Sequence, residues 1–345
     1  MASLSAMKKK PFVAATLLFL GLLCSLEHIG AQSLGVCYGG NGNADNLPPE
    51  SEAVSLCKTY GIGRMRIYSP YPGILQALRD SNLEIMVGVP NDSLQALSEQ
   101  SAAADWVQRN IKDYSSNVKF KYIYVGNEVN PTSPTAQFVL PAMQNIYKAI
   151  ADAGLQNQIK VSTAVDTNLL GVFDPPSAGD FSENARKFME PINGFLVSNG
   201  APLLANIYPY FRVKYNNQSV PYALFTAPGT VVHDGQLEYQ NLFDALMDAL
   251  YSALEKTNGG SLAIVVSESG WPSGGGAVET VENAGTYYRN LINHVKKGGT
   301  PKRPGNAIET YLFGLFDENL KTEDIEQHFG LFYPNKQLKY NISFT

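Results

Sequence analysis

Two glutamates in this sequence stand where acid–base chemistry could be done. Glu268 closes the apolar run of "LAIVVSESGW", and Glu128 closes "FKYIYVGNEV" directly behind Asn127. A buried strand gains nothing by ending on an ionisable group unless that group emerges into a polar site. One such residue alone reads as a strand-end cap or half of an ion pair. Two of them, each followed by turn-formers or polar residues and neither flanked by His or Cys, fit another use. Glycoside hydrolysis asks for a carboxylic acid that protonates the leaving oxygen and a carboxylate that attacks the sugar or activates water. That chemistry calls for no metal and no cofactor. A further group, Asp317, Glu318 and Lys321 in "LFDENLK", adds candidates of the same type.

Such residues act together only if the fold gathers them. Eight apolar, β-rich segments fall at 33–39, 64–69, 84–90, 120–129, 158–166, 202–211, 262–268 and 309–317. Helical spacing fills the intervals, as in "SEAVSLCKTY" from Ser51, "AAADWVQRNIKDY" from Ala102 and "TAQFVLPAMQNIYKAIADAG" from Thr135. In the last of these, Phe138, Val139, Met143, Ile146, Tyr147 and Ile150 recur at helical steps, Gly154 offers a stop, and Pro141 predicts a kink. Strands too uniformly apolar to have a wet face, alternating with helices, predict a parallel sheet closed as an α/β (β/α)8 TIM barrel. An open doubly wound sheet would bring a Gly-rich loop straight into a helix after the first strand, whereas "GVCYGGNGNADNLP" runs into a polar, Pro-containing loop. No linker-like stretch divides residues 32–345, which read as one domain. Functional groups of such a barrel gather at the C-terminal strand ends. Glu128 and Glu268 then belong to the fourth and seventh strands, expected on opposite sides of the ring and facing across its mouth.

The motifs around these glutamates carry a family likeness. "VVSESGWPSGG" resembles the signature of glycoside hydrolase family 17, and "YVGNEV", "STAVDT", "LLANIYPYF", "VPYALF", "YQNLFDALMDAL" and "EQHFGLFYPNK" resemble, in order, segments of the plant endo-β-1,3-glucanases of that family. The likeness runs from about Ser33 to Phe344. It implies a (β/α)8 barrel, β-1,3-glucan as substrate, Glu268 as nucleophile and Glu128 as acid/base, with retention at the anomeric carbon. A retaining pair lies about 5 to 5.5 Å apart, and the acid must start protonated, which burial and the neighbouring carboxylate favour. Asn127 is expected to bond the sugar 2-hydroxyl. The likeness further implies that Glu318, Lys321 and Glu326 form an ionic group beside the pair, with Glu318 the alternative donor. It implies that Tyr68 and Tyr208, ending the second and sixth strands, bond Glu268 or the sugar, and it leaves Trp271, Phe316 and Phe329 between lining the cleft and filling the core. Ser69, Leu320 and Tyr124 depart from residues frequent in the family, and Tyr124 bears on packing behind the site.

The remaining features bear on where the chain works. A net charge of -5 gives no broad attraction for nucleic acid or an anionic membrane and suits a neutral substrate. Lys8 to Lys10, the apolar run from Phe12 to Leu26 and small residues at Gly30 and Ala31 have the layout of a secretory signal peptide over residues 1–31. The run falls short of the roughly 20 residues of a membrane span, and "KYNISFT" lacks the apolar tail of a lipid-anchor signal. A secreted monomer, extracellular or in the cell wall rather than the vacuole, is the expectation. Cys24 leaves with the leader, so Cys37 and Cys57 remain, free or paired. Asn91, Asn217 and Asn341 each begin an N-x-S sequon and are possible glycan sites in a secreted chain. The expected function is hydrolysis of wall β-1,3-glucan in defence against fungi. The alternatives are a mixed-linkage β-1,3-1,4-glucanase, or a glycan-binding wall protein without turnover. Against the latter, a pure binder has no need of two matched carboxylates.

Overall fold

The computed structural model describes residues 34–40, 42–305 and 307–344. The leader over residues 1–31 lies outside the described residues. Eight strands run Leu34–Tyr38 (β1), Arg64–Ile67 (β2), Glu84–Val89 (β3), Lys119–Asn127 (β4), Lys160–Asp166 (β5), Leu203–Asn206 (β6), Ile264–Ser269 (β7) and Thr310–Leu312 (β8). Each pairs in parallel with its neighbours in sequence, and β8 returns to β1, so the sheet closes as a barrel. Alternation explains why both faces are apolar. Cys37, Met86, Tyr122, Tyr124, Ala164, Leu204, Val265 and Tyr311 fill the barrel interior. Their strand neighbours, such as Val36, Val87, Ile123, Val125 and Val266, face the helices in the outer core.

The main helices are Glu50–Thr59 (α1), Pro72–Leu78 (α2), Gln100–Val107 (α3), Val139–Asp152 (α4), Glu183–Asn199 (α5), Pro209–Asn216 (α6), Leu242–Glu255 (α7) and Val281–Val295 (α8). Side chains of Ser182, Asn241 and Thr280 cap α5, α7 and α8, each accepting from the backbone N–H three residues on. Each such cap stabilises its helix by about 1 kcal/mol. Pro141 does not interrupt α4. It is the third residue of that helix, where a backbone N–H has no partner within the helix, and a 3-10 turn over Ala136–Phe138 leads in. Gly154 does stop α4. Its φ of 75° allows the N–H groups of Gly154 and Leu155 to close on the carbonyls of Ala151 and Ile150 at 2.9 and 3.0 Å.

Two expectations are corrected by these boundaries. The sixth strand stops at Asn206 instead of reaching 211, because Pro209 opens α6 with its fixed φ, so Tyr208 precedes a helix and does not end a strand. Strands β4 and β7 are also not diametrically opposed, since only β5 and β6 separate them on that side of the ring. Cys37 lies in the barrel interior and Cys57 on α1 in the outer core, and both thiols are free and buried.

The N-terminal end of the barrel is closed by charge. Lys121 Nζ reaches Glu84 at 3.1 Å and Glu309 at 3.0 Å, while Arg64 Nε reaches Glu84 at 2.6 Å. The hydroxyls of Tyr122 and Tyr311 donate to Glu309 as well. These charges satisfy one another at the N-terminal end, whereas Glu128 and Glu268 stand at the C-terminal strand ends.

Candidate active site

Glu268 reaches the mouth through a break in strand register. Val265 points into the barrel and Val266 toward the helices, so strict alternation would send Glu268 outward. The pairing of β7 with β6 shifts between Val266 and Glu268, a bulge that turns the carboxylate inward. There it is buried, and it accepts hydrogen bonds from Tyr68 Oη at 2.7 Å and Tyr208 Oη at 2.8 Å. Arg66 Nη1 stands 2.9 Å from the same carboxylate.

Arg66 organises the floor of the site. Its side chain is 0% exposed, so its charge requires partners on every side. Nη1 also donates to Asn206 Oδ1 at 3.0 Å and to the Ser267 carbonyl at 2.9 Å, and Nη2 donates to Asn127 Oδ1 at 2.7 Å. The guanidinium lies over the rings of Tyr124 and Tyr68, 4.3 and 4.8 Å from their centroids. Tyr124, where smaller residues were expected, is thus the lid of the buried cation, and its hydroxyl donates to the Ile67 carbonyl.

Glu128 follows β4 in an unusual conformation. Pairing of β4 with β5 shifts between Tyr124 and Asn127, and both Gly126 (φ 81°) and Glu128 (φ 49°) are left-handed. A side chain on Gly126 would meet Val129 Cγ2 at 2.9 Å as well as carry the backbone strain. Strain at a non-glycine position such as Glu128 persists where the surroundings over-determine it. Here the Glu128 N–H donates to the Ala164 carbonyl at 2.8 Å, and its Oε1 accepts from Asn206 Nδ2 at 2.8 Å. Asn206 bridges the two carboxylates, because its Oδ1 takes the arginine that holds Glu268. Burial, followed by the negative charges of Glu268 and Asp166, pushes the Glu128 carboxyl up to about 7. The group is nevertheless exposed on its open side, and water there screens part of that push.

Glu128 and Glu268 line one cavity of about 220 Å³ with Asn43, Tyr68, Asn127, Tyr208, Phe211, Phe313, Glu318, Lys321, Glu326 and Phe329. A second cavity of about 400 Å³ shares Glu128, Tyr208 and Phe211 with it and continues past Asp166, Asn168, Asn206, Arg212 and Tyr215. Glu128 stands where the two meet, so the whole is a groove running past the acid on both sides. In the first cavity Lys321 Nζ lies 3.7 Å from Glu318 and 3.9 Å from Glu326. Burial raises both of those carboxyls, and Lys321 opposes the rise.

The aromatic candidates separate. Phe329 lines the groove, with its ring 6.1 Å from Tyr208. Trp271 is wholly buried against Tyr210 and donates Nε1 to the Val278 carbonyl at 3.0 Å. Phe316 packs on the edge of Tyr38 in the core. Asn127 uses Oδ1 to accept from Arg66 and, at 3.2 Å, from Asn206. Among the sequons, Asn217 is the exposed, left-handed C-cap of α6, Asn341 is exposed near the C-terminus, and Asn91 is bonded to the backbone of Asn127.

Sequence reasoning passed over Arg66, Asp166, Asn206 and Phe211. Three of them had a signal. Asp166 and Asn206 are the last residues of their strands, and an arginine inside the apolar "RMRIY" must find a carboxylate if the strand is buried. Phe211, on α6, had none.

Comparison with known proteins identifies the family and the fold. The sequence profile described as Glycosyl hydrolases family 17 matches residues 34–344. A glucan endo-1,3-beta-glucosidase of Vitis vinifera is 58% identical, over 98% of this chain and 99% of the relative. A basic vacuolar isoform of the same enzyme from Nicotiana tabacum is 54% identical, over 96% and 90%. Among solved structures, one reported with two plant beta-glucan endohydrolases of distinct substrate specificities is 50% identical with a TM-score of 0.86, covering 90% of this chain and 99% of its own. A beta-1,3-glucanase and allergen of Cryptomeria japonica pollen is 45% identical with a TM-score of 0.87 and the same coverage.

Proposed function

This chain belongs to glycosyl hydrolase family 17, and from that footing we propose that it is an endo-hydrolase of β-1,3-glucan acting by retaining double displacement. The observation that carries the mechanism is the unequal treatment of two carboxylates in one cavity. Glu268 receives three donors, from Arg66, Tyr68 and Tyr208, while Glu128 is pushed up to about 7 and holds its proton under mildly acidic conditions. A carboxylate held by three donors beside an acid that keeps its proton fits the division into nucleophile and proton donor.

In the first step a Glu268 oxygen bonds to the anomeric carbon, the bond from that carbon to the leaving oxygen breaks, and the proton of Glu128 passes to the departing sugar. Consuming the Glu268 charge removes one cause of the raised Glu128 value, so the new carboxylate is stable enough to act as base. In the second step it takes a proton from water as the water oxygen bonds to the anomeric carbon and Glu268 leaves. Glu318, under the charge of Lys321 and without the bridge through Asn206, is the weaker candidate for donor. The groove running past Glu128 on both sides supports attack within a chain, and the names of the relatives support the β-1,3 linkage.

We place the enzyme in the secretory pathway on the strength of its leader-like first residues, with delivery outside the cell. No helix among the described residues is long and apolar enough to cross a membrane. Some relatives are named vacuolar isoforms, so fractionating cells that express the full chain decides the destination.

The mechanism is tested by incubating the protein with linear β-1,3-glucan, mixed-linkage glucan and cellulose while NMR follows the first anomer released. The β-anomer from β-1,3-glucan is expected, and initial α-anomer overturns retention. Glu268→Gln should abolish turnover. Glu128→Gln should spare substrates with good leaving groups, and an equal loss on all substrates moves the donor role to Glu318.

A further inference from the structure

The side chain of Asn91 makes two hydrogen bonds to a single residue. Its Nδ2 donates to the Asn127 carbonyl at 2.8 Å, and its Oδ1 accepts from the Asn127 N–H at 2.8 Å. An amide that reads both backbone groups of one residue imitates a neighbouring strand. It does so where β3 has already ended at Val89, while β4 runs on to Asn127. On the other side of the same segment, the Glu128 N–H is held by the Ala164 carbonyl of β5 at 2.8 Å. The left-handed turn that carries Glu128 is therefore gripped from both flanks, and one grip is a side chain. We propose that Asn91 is a positioning residue for the proton donor, and that the sequon it begins stays unmodified in the active enzyme.

The two halves of the proposal are one piece of stereochemistry. Both bonds leave the Asn91 amide toward one residue, so the hydrogen used is the one on the same side as Oδ1. A sugar on Nδ2 would make a secondary amide, whose trans preference puts the substituent on that same side. A glycan would thus replace the hydrogen that Asn127 receives. Modification and the clamp exclude each other, whereas Asn217 is an exposed C-cap that bonds through its backbone N–H. Asn91 lines neither cavity of the groove, so it acts through Glu128 and not on the sugar. The inference rests on the reading of Glu128 as acid/base.

The sequon and the amide can be separated by mutation. Ser93→Ala removes the sequon and leaves the clamp, because the Ser93 hydroxyl donates to Asp92 and takes no part in the bonds between Asn91 and Asn127. Asn91→Ala removes both, and Asn91→Asp keeps the acceptor while setting an oxygen against the Asn127 carbonyl. The full chain, made in a eukaryotic secretory host, is assayed on linear β-1,3-glucan and on an aryl β-1,3-oligoglucoside, with peptide masses read across Asn91. Misplacement of a catalytic group by about 1 Å costs on the order of 100-fold. Asn91→Ala and Asn91→Asp should lose roughly 10- to 100-fold in kcat on glucan with little change in KM. The loss on the aryl substrate should be several-fold smaller, because that leaving group needs little protonation. Ser93→Ala should match the unmutated enzyme. Equal losses on both substrates, or none, overturn the positioning role, and a glycan at Asn91 in active enzyme overturns the second half. If Asn91→Ala fails to fold, Asn91→Asp carries the kinetic arm. Failure of the acid/base reading itself would show separately, as a Glu128→Gln enzyme that loses equally on both substrates.

Discussion

If Glu128 is the proton donor proposed above, its rise to about 7 fixes where activity should fail in base. The donor must carry its proton in the free enzyme, so kcat/KM should follow its protonated fraction, about 99% at pH 5, half at pH 7 and about 9% at pH 8. An ordinary glutamate near 4.5 would be only about 3% protonated at pH 6, where the raised group keeps about 90%. The basic limb near 7 should therefore fall tenfold per pH unit. The charged groups facing Glu128 are Glu268 on β7, Asp166 at the end of β5 and Arg66 on β2, with Asn206 donating from β6. Of the two carboxylates that raise it, Asp166 can be neutralised without removing the nucleophile. Asp166→Asn should move the basic limb to lower pH. Sugar filling the groove displaces the screening water, so the limb of kcat should lie at or above that of kcat/KM. The assay is the initial rate of reducing-end release well below KM across about pH 4 to 9, with enzyme held at each pH and returned to pH 5 to exclude denaturation. A basic limb below about 5.5, or one that Asp166→Asn leaves in place, would refute the reasoning.

Three further outcomes follow from the same geometry. A carboxyl whose folded value is raised stabilises the fold fully below its unfolded value near 4.5 and loses that contribution as pH rises through about 7. Glu128→Gln should accordingly melt above the unmutated enzyme at pH 8 and near it at pH 4, and the opposite ordering would contradict the raised value. Arg66→Met leaves Glu268 buried without its cation and should cost about 3 to 5 kcal/mol in urea unfolding, and a cost below about 1 kcal/mol would show the pair to be dispensable. Tyr208→Phe removes a neutral donor to a carboxylate worth about 1.5 to 3 kcal/mol. It should lower kcat/KM about 10- to 150-fold at pH 5 with an unchanged circular dichroism spectrum, and a loss under threefold would deny the bond a catalytic part.

The barrel was legible because most of its strands are apolar on both faces, the pattern of a parallel sheet wrapped in helices, with the RMRI strand the exception. The two carboxylates were legible because they interrupt that pattern at strand ends. What escaped were effects of register and of three-dimensional pairing. Tyr208 was assigned to a strand, since "LLANIYPYF" stays apolar and aromatic through Pro209, yet a proline at the first helical position is as good a beginning as an end. Arg66 was invisible as a floor for the site because its partners, Asn127, Asn206 and Glu268, arrive from three other strands. Asn91 matched a sequon, and only the folded chain brings the backbone of Asn127 onto its amide.

The inside–outside alternation of a strand behaves like a reading frame of period two, and the bulge in β7 is a frameshift. Ile264 and Val266 belong to the helix-facing frame, and Glu268 by count belongs with them. Substitutions at 266 or 267 can alter packing while leaving the frame intact. Inserting one further residue there would keep every side chain of the site in the sequence and, by the same count, rotate Glu268 out among the helices. Within this segment, residue number is inherited as strictly as residue type.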